Sequence, residues 1–72
     1  EPMTTKTLDI EGMMCEHCVR HVTEALEGVR GVRNVHVSLE DNEATLEAGP
    51  LVSDRRLERA VEDAGYKVTA VA

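Results

Sequence analysis

The 72-residue chain has no phenylalanine and no tryptophan, and Tyr66 is the single residue of the Phe, Trp and Tyr group. Whatever core it builds must therefore be aliphatic. Leu, Ile and Val together number 17, a share above that of chains that stay disordered, so the chain is expected to fold. Long hydrophobic runs are also missing. Nothing approaches the roughly 18 apolar residues needed to cross a bilayer, and no charged-then-apolar leader precedes the first strand-like segment. The chain reads as soluble, cytoplasmic and without membrane insertion. Positive charge is scarce: 8 Lys and Arg stand against 14 Asp and Glu, for a net charge of −6. That balance repels phosphate backbones and anionic headgroups, which argues against nucleic acid as a partner. Cysteine is limited to Cys15 and Cys18, whose tiny loop would give a disulfide little entropic stabilisation. The pair is there for chemistry, not as a staple. Length adds a last exclusion, since about half of one typical domain leaves no room for a large enclosed substrate pocket.

What is present is periodic. Thr5 to Ile10 alternates, with Leu8 and Ile10 on one face and Thr7 and Asp9 on the other, and Gly12 ends it. From about Glu16 to Glu27 the pattern turns helical through Cys18, Val22, Ala25, Leu26 and Val29, with Arg20 and Glu24 spaced as an outer i,i+4 pair and Gly28 as the stop. Val35, Val37 and Leu39, then Ala44, Leu46 and Ala48, alternate on either side of the turn residues Glu40, Asp41 and Asn42, which predicts a hairpin. Gly49-Pro50 breaks the strand. Ser53 is placed to cap a second helix carrying Leu57, Ala60, Val61 and Ala64, with an outer Arg59–Asp63 pair; Gly65 stops it, and Lys67 to Val71 reads as a last strand. Residues 1–72 thus read as a single α+β domain of ferredoxin-like βαββαβ order, with two helices on one face of a four-stranded antiparallel sheet. Glu1 and Pro2 ahead of Met3 read as a cloning remnant before an initiator methionine. The topology places the loop at 11–16, the hairpin tip at Asp41-Asn42 and the Gly65-Tyr66 loop at one end, and Gly49-Pro50 at the other.

Chemistry concentrates in Gly12-Met13-Met14-Cys15-Glu16-His17-Cys18, where the first strand hands over to the first helix. A CxxC alone is a weak signal, but first-turn amides and the positive end of a helix draw thiol pKa values below the free value of about 8.5. Cys18 is expected to benefit most, and Cys15, earlier in the loop, to be more exposed. Two soft thiolates suit a d10 ion of low coordination number such as Cu(I), and are too few for a closed four-ligand zinc site. Met13 reads as a packing residue. Met14 is either an ordinary exposed thioether or a soft contact for a docking partner. His17 reads as a neighbour of the thiolates more than as a ligand, and a Cys15-Cys18-His21 set is the alternative were the ion Zn(II). His36 falls on a polar strand face. Tyr66 is either an apolar cap on the loop end or a hydrogen-bond donor beside the sulfurs. The acidic hairpin residues Glu40, Asp41, Glu43 and Glu47 favour a cationic patch on a partner.

The stretch resembles the heavy-metal-associated domain, the family of copper chaperones and of the N-terminal domains of copper-transporting P-type ATPases. Gly12-Met13-x-Cys15-x-x-Cys18 matches its metal motif, Val32 onward its second strand, and Ala60 to Tyr66 the end of its second helix. His17 and Tyr66 are similar to the bacterial branch, whereas eukaryotic chaperones usually carry Lys at the later position. Met14 departs from the commoner Ser or Thr, and from the Asp of many zinc and cadmium relatives. The resemblance implies Cu(I) on Cys15 and Cys18, Met13 packed beneath the loop, and Tyr66 beside it. His17 and Met14 remain auxiliary candidates.

The function implied is a cytosolic Cu(I) chaperone that passes copper by ligand exchange to a copper-transporting P-type ATPase, without catalysing a covalent reaction. Zn(II) and Ag(I) are alternative ions in vitro. The expected assembly is a monomer without metal and a copper-bridged homodimer when copper is abundant. The same motif implies, as alternatives, a metal-binding domain of a P-type ATPase or of a mercury-detoxification protein. A thiol oxidoreductase is the rival from another class. The short chain and the distance of Gly49-Pro50 from the cysteines count against it.

Overall fold

The computed structural model describes residues 3–72; the reading of Glu1 and Pro2 falls outside them. The elements follow in the order β1 (Thr4–Glu11), α1 (Glu16–Glu27), β2 (Val32–Ser38), β3 (Glu43–Ala48), α2 (Asp54–Asp63) and β4 (Lys67–Val71). All paired strands are antiparallel, and the sheet runs β2-β3-β1-β4. Each βαβ half therefore interleaves with the other. β1 and β3 lie in the middle, in register from Thr4 opposite Ala48 to Asp9 opposite Glu43.

The period-2 pattern explains which face is covered. Leu8 and Ile10 on β1 and Ala44, Leu46 and Ala48 on β3 point to the helices, joined by Val22 and Leu26 from α1 and Leu57 and Val61 from α2. All are essentially inaccessible to water, and burying each Leu or Val contributes about 1.5–3 kcal/mol before conformational entropy is subtracted. Ala at two of the three β3 core positions flanking Leu46 lets the helices approach the sheet closely. α2 starts where Ser53 accepts a hydrogen bond from the Arg56 amide through its side chain, 3.2 Å away.

β2 begins at Val32, as the resemblance implied, although the alternation that marks the strand starts only after Asn34, which adopts a left-handed φ of 57° at a bulge. Gly28 closes α1 as expected, in a right-handed conformation with φ −76°. One local expectation is corrected. The outer pairs Arg20–Glu24 and Arg59–Asp63 are not closed; among the described residues the ion pair formed is Lys6–Asp54, at 2.9 Å. That contact ties β1 to the start of α2 and, at the surface, is worth about 0–1 kcal/mol.

Candidate functional site

Three segments far apart in sequence meet at one end of the sheet, as the topology predicted. The Ile10 amide donates to the Asn42 carbonyl at 2.8 Å, which fastens the hairpin tip to the end of β1. α2 ends in a turn in which the Gly65 amide donates to Glu62 at 2.9 Å and the Tyr66 amide to Val61 at 3.2 Å; Gly65 takes φ +99°, which swings Tyr66 back over the sheet end. Gly12, at φ +103°, meets it there: a Cβ at that position would lie 3.4 Å from Tyr66 Cδ1. The chain can leave β1 and pass under the ring because residue 12 has no side chain.

Met13 follows, 6% exposed and part of the core, so it anchors the loop from below as expected. The next residue points the opposite way. Met14 is 85% exposed, one of two large apolar side chains at the surface of the described residues. Cys15 is the N-cap of α1 in extended conformation, and its carbonyl accepts from the amides of Cys18 at 3.0 Å and Val19 at 3.2 Å. This backbone turn brings the two sulfurs to one side of the helix start. The Sγ atoms are 4.0 Å apart, both thiols free, with Cys15 exposed and Cys18 half-buried against the core. A disulfide requires about 2.05 Å, whereas a metal held by two thiolate bonds of about 2.3 Å spans sulfurs up to about 4.6 Å apart. The separation suits one shared ion.

Cys18 is held down to about 7, well below an ordinary thiol. The largest cause is the backbone amide of Met14; the Tyr66 hydroxyl comes next, and the side chain and amide of Cys15 add to them against the penalty of partial burial. The expected direction is present, but its main donor precedes the helix and is not one of the first-turn amides. The Tyr66 hydroxyl is pushed up in turn, first because it serves as donor to the Cys18 sulfur and then by partial burial. The ring of Tyr66 packs against the core, the first of its two sequence readings, and its hydroxyl is the second of the influences that lower Cys18. The role of the Met14 amide was invisible to side-chain reasoning.

No third His, Cys, Asp or Glu gathers with the sulfurs among the described residues, so the Cys15-Cys18-His21 set is not assembled. His17 and His21 are exposed on α1 with their rings against each other, and His36 is exposed on β2. A hollow of about 650 Å³ lies at the opposite end of the sheet, lined by Arg30, Arg33, Pro50, Leu51, Val52 and Arg56 among others. A shallower concavity of about 570 Å³ borders the site through Gly12, Met13 and Met14 and carries Asp9, Glu11 and Asp41. Met14 thus joins the cysteine loop to an acidic hollow.

The model of the heavy-metal-associated domain family matches residues 7–67. Mercuric reductase of Shewanella putrefaciens is 46% identical over 59 residues, which are 82% of this chain and 11% of that protein. Copper chaperone CopZ of Bacillus subtilis is 40% identical over 67 residues, covering 92% of this chain and 97% of the relative. Among solved structures, oxidised MerP from Ralstonia metallidurans CH34 is similar at a TM-score of 0.87 and 33% identity, over 96% of this chain and all of that one.

Proposed function

The chain belongs to the heavy-metal-associated domain family, and on that premise we propose that it is a cytoplasmic Cu(I) chaperone whose cargo rides on Cys15 and Cys18. The observation that carries this reading is the pair of free sulfurs 4.0 Å apart on an exposed loop, with no further ligand gathered around them among the described residues. Two thiolates satisfy a soft d10 ion and leave its other directions open. A cysteine of an acceptor binds there before either sulfur of this chain lets go. Copper passes through a three-sulfur arrangement and is never free.

The two cysteines take different parts. Cys18, fixed in the first turn of α1 and supported by the Met14 amide and the Tyr66 hydroxyl, keeps the ion registered to the fold. Cys15, exposed at the N-cap, is the sulfur that moves with the loop. The acceptor proposed is the metal-binding domain of a copper-transporting P-type ATPase, met by the acidic concavity beside Met14. The whole chain then acts as one domain that binds and transfers, with no bond made or broken in an organic substrate.

The 46% identity to mercuric reductase supports a second reading, a metal-binding domain for Hg(II), which is equally soft and content with two thiolates. Anaerobic titration with Cu(I), Hg(II) and Zn(II) against competing chelators, read by native mass spectrometry, tests both. One tightly held Cu(I) per monomer, delivered on mixing to an ATPase metal-binding domain, is the expected result. Cu(I) lost to small-molecule thiols while Hg(II) is retained would replace the copper reading with the mercury one. Insulin-reductase activity would overturn both.

A further inference from the structure

A second set of metal-ligating side chains lies on α1 outside the cysteine pair. His17 and His21 are four residues apart and so share one face of the helix, one turn from each other. Their ring centroids are 4.4 Å apart with the planes inclined at 58°. Both are exposed, and neither takes part in a side-chain hydrogen bond or ion pair among the described residues. They do no packing work either, because the buried face of α1 is made by Val22 and Leu26.

Geometry gives the pair a use. With metal–nitrogen bonds of about 2.0–2.1 Å, an ion sits about 3.2 Å from each ring centroid, and nitrogen–metal–nitrogen angles of roughly 90–109° place the centroids about 4.5–5.2 Å apart. The observed 4.4 Å falls just short of that span, so a small outward rotation of the two side chains reaches chelation without moving the helix. The donors also differ in kind from the cysteines. Imidazole is a borderline ligand that suits Zn(II), Ni(II) and Cu(II), whereas paired thiolates suit Cu(I).

We propose that His17 and His21 form a second metal site, which chelates one borderline divalent cation on the outer face of α1 and leaves its remaining positions to water. The site needs no atom of Cys15 or Cys18. It lies one turn from the sulfurs, so a divalent cation there and a soft ion on the loop are carried on the same end of the molecule by separate donor sets. Being open on one side, it is also able to take a third ligand from another molecule.

The test removes the sulfurs. In the full chain carrying Cys15→Ser and Cys18→Ser, Ni(II) is followed by NMR and Zn(II) by isothermal titration calorimetry. The site predicts one saturable cation and paramagnetic broadening by Ni(II) that begins at the His17 and His21 ring protons. Adding His21→Ala reduces a two-point chelate to a single imidazole and lowers affinity by about a hundredfold, and His17→Ala does the same. Both positions are exposed, and circular dichroism checks that the helix survives each change. Affinity unchanged by His21→Ala overturns the proposal. So does loss of divalent binding in the double cysteine variant when the unmodified chain binds, because the cation then belongs to the sulfurs. The His17 and His21 comparison is made without the cysteines and with divalent ions alone, so its outcome does not bear on Cu(I) carriage.

Discussion

Replacing Tyr66 by Phe isolates one term in the chemistry of Cys18, since the ring that packs on the core is kept and the hydroxyl alone is lost. That hydroxyl is the second of the influences that lower Cys18, after the Met14 amide. Removing a donor to the thiolate disfavours the charged form, so the pKa must rise. With the Met14 amide still in place it should stop short of a free thiol, so we expect a rise from about 7 that ends below the free value of about 8.5. At pH 7 the thiolate share of Cys18 falls in the variant but stays above the roughly 3% of a free cysteine. A reaction rate at one pH would partly hide the change, because intrinsic nucleophilicity rises with pKa with a slope of about 0.4–0.5 and returns part of the loss.

The measurement must therefore be the whole titration, by thiolate absorbance in the ultraviolet from pH 5 to 10, in Cys15→Ser with and without Tyr66→Phe so that Cys18 is the one thiol observed. The same shift has a stability counterpart. The folded chain holds Cys18 below its unfolded value, so its contribution to stability is fully present above about 8.5 and is lost as pH falls through about 7. Tyr66→Phe should narrow that window from its lower edge. A Cys18 titration that stays put or falls in the variant would refute the assignment of the hydroxyl as donor and leave the Met14 amide to account for the whole effect.

Three further outcomes are expected. Cys15→Ser and Cys18→Ser should each cost orders of magnitude in Cu(I) affinity by chelator competition while leaving the circular dichroism spectrum intact; retained affinity in either would bring Met14 or His17 into the ligand set. Met13→Ala removes a core side chain that is 6% exposed and should lower stability in urea by about 2–4 kcal/mol, whereas a change below about 0.5 kcal/mol, the range of ordinary surface substitutions, would show that the loop is not anchored from below. Apo protein should sediment as a monomer and pass to a copper-bridged dimer above one copper per chain, promoted by salt because two chains of net charge −6 repel over a range of about 8 Å at physiological ionic strength; a monomer at every copper loading in high salt would show that the site is closed.

The parts of this molecule that could be read from its sequence are those governed by periodicity and by covalent identity. Leu8 and Ile10 announce the inner face of β1, and the span of α1 from Glu16 to Glu27 follows from where Val22 and Leu26 must be buried. The cysteine positions, the inward Met13 and the convergence of Tyr66 on the loop also follow, once the strand order is known. Backbone conformation is where the reading stops. Asn34 is a residue type that tolerates the left-handed φ it adopts, but that tolerance does not say that the register of β2 is restored only at His36 opposite Thr45. Ion pairs at i,i+4 spacing are permitted by the helix but not required by it, and solvent competes for both partners at an exposed face. The contact between His17 and His21 has the same origin in spacing, yet which face mates are in contact is decided by rotamers, and those a sequence does not show.

The position of Cys18 near neutrality bears on how a carrier can be both retentive and willing to release. Binding a metal to a thiol displaces its proton, and an ordinary cysteine at pH 7 must lose nearly one whole proton per sulfur. Cys18, at about 7, loses about half of one. The proton penalty on affinity is thereby reduced at this sulfur, and above pH 7 its pH dependence fades. A less basic thiolate is also a weaker donor to the metal it holds, so the same shift that eases loading eases departure. Tyr66 and the Met14 amide lower Cys18 from outside the CxxC itself, and each is held at the loop for a separate structural reason. Gly65 at φ +99° returns the ring to the loop, and Met13, pinned in the core, fixes the chain on which the next amide is presented. Exchange competence in this fold is in that sense a property of the loop's anchorage, and substitutions at Gly12 or Gly65, which touch neither sulfur, should alter it through the placement of Tyr66.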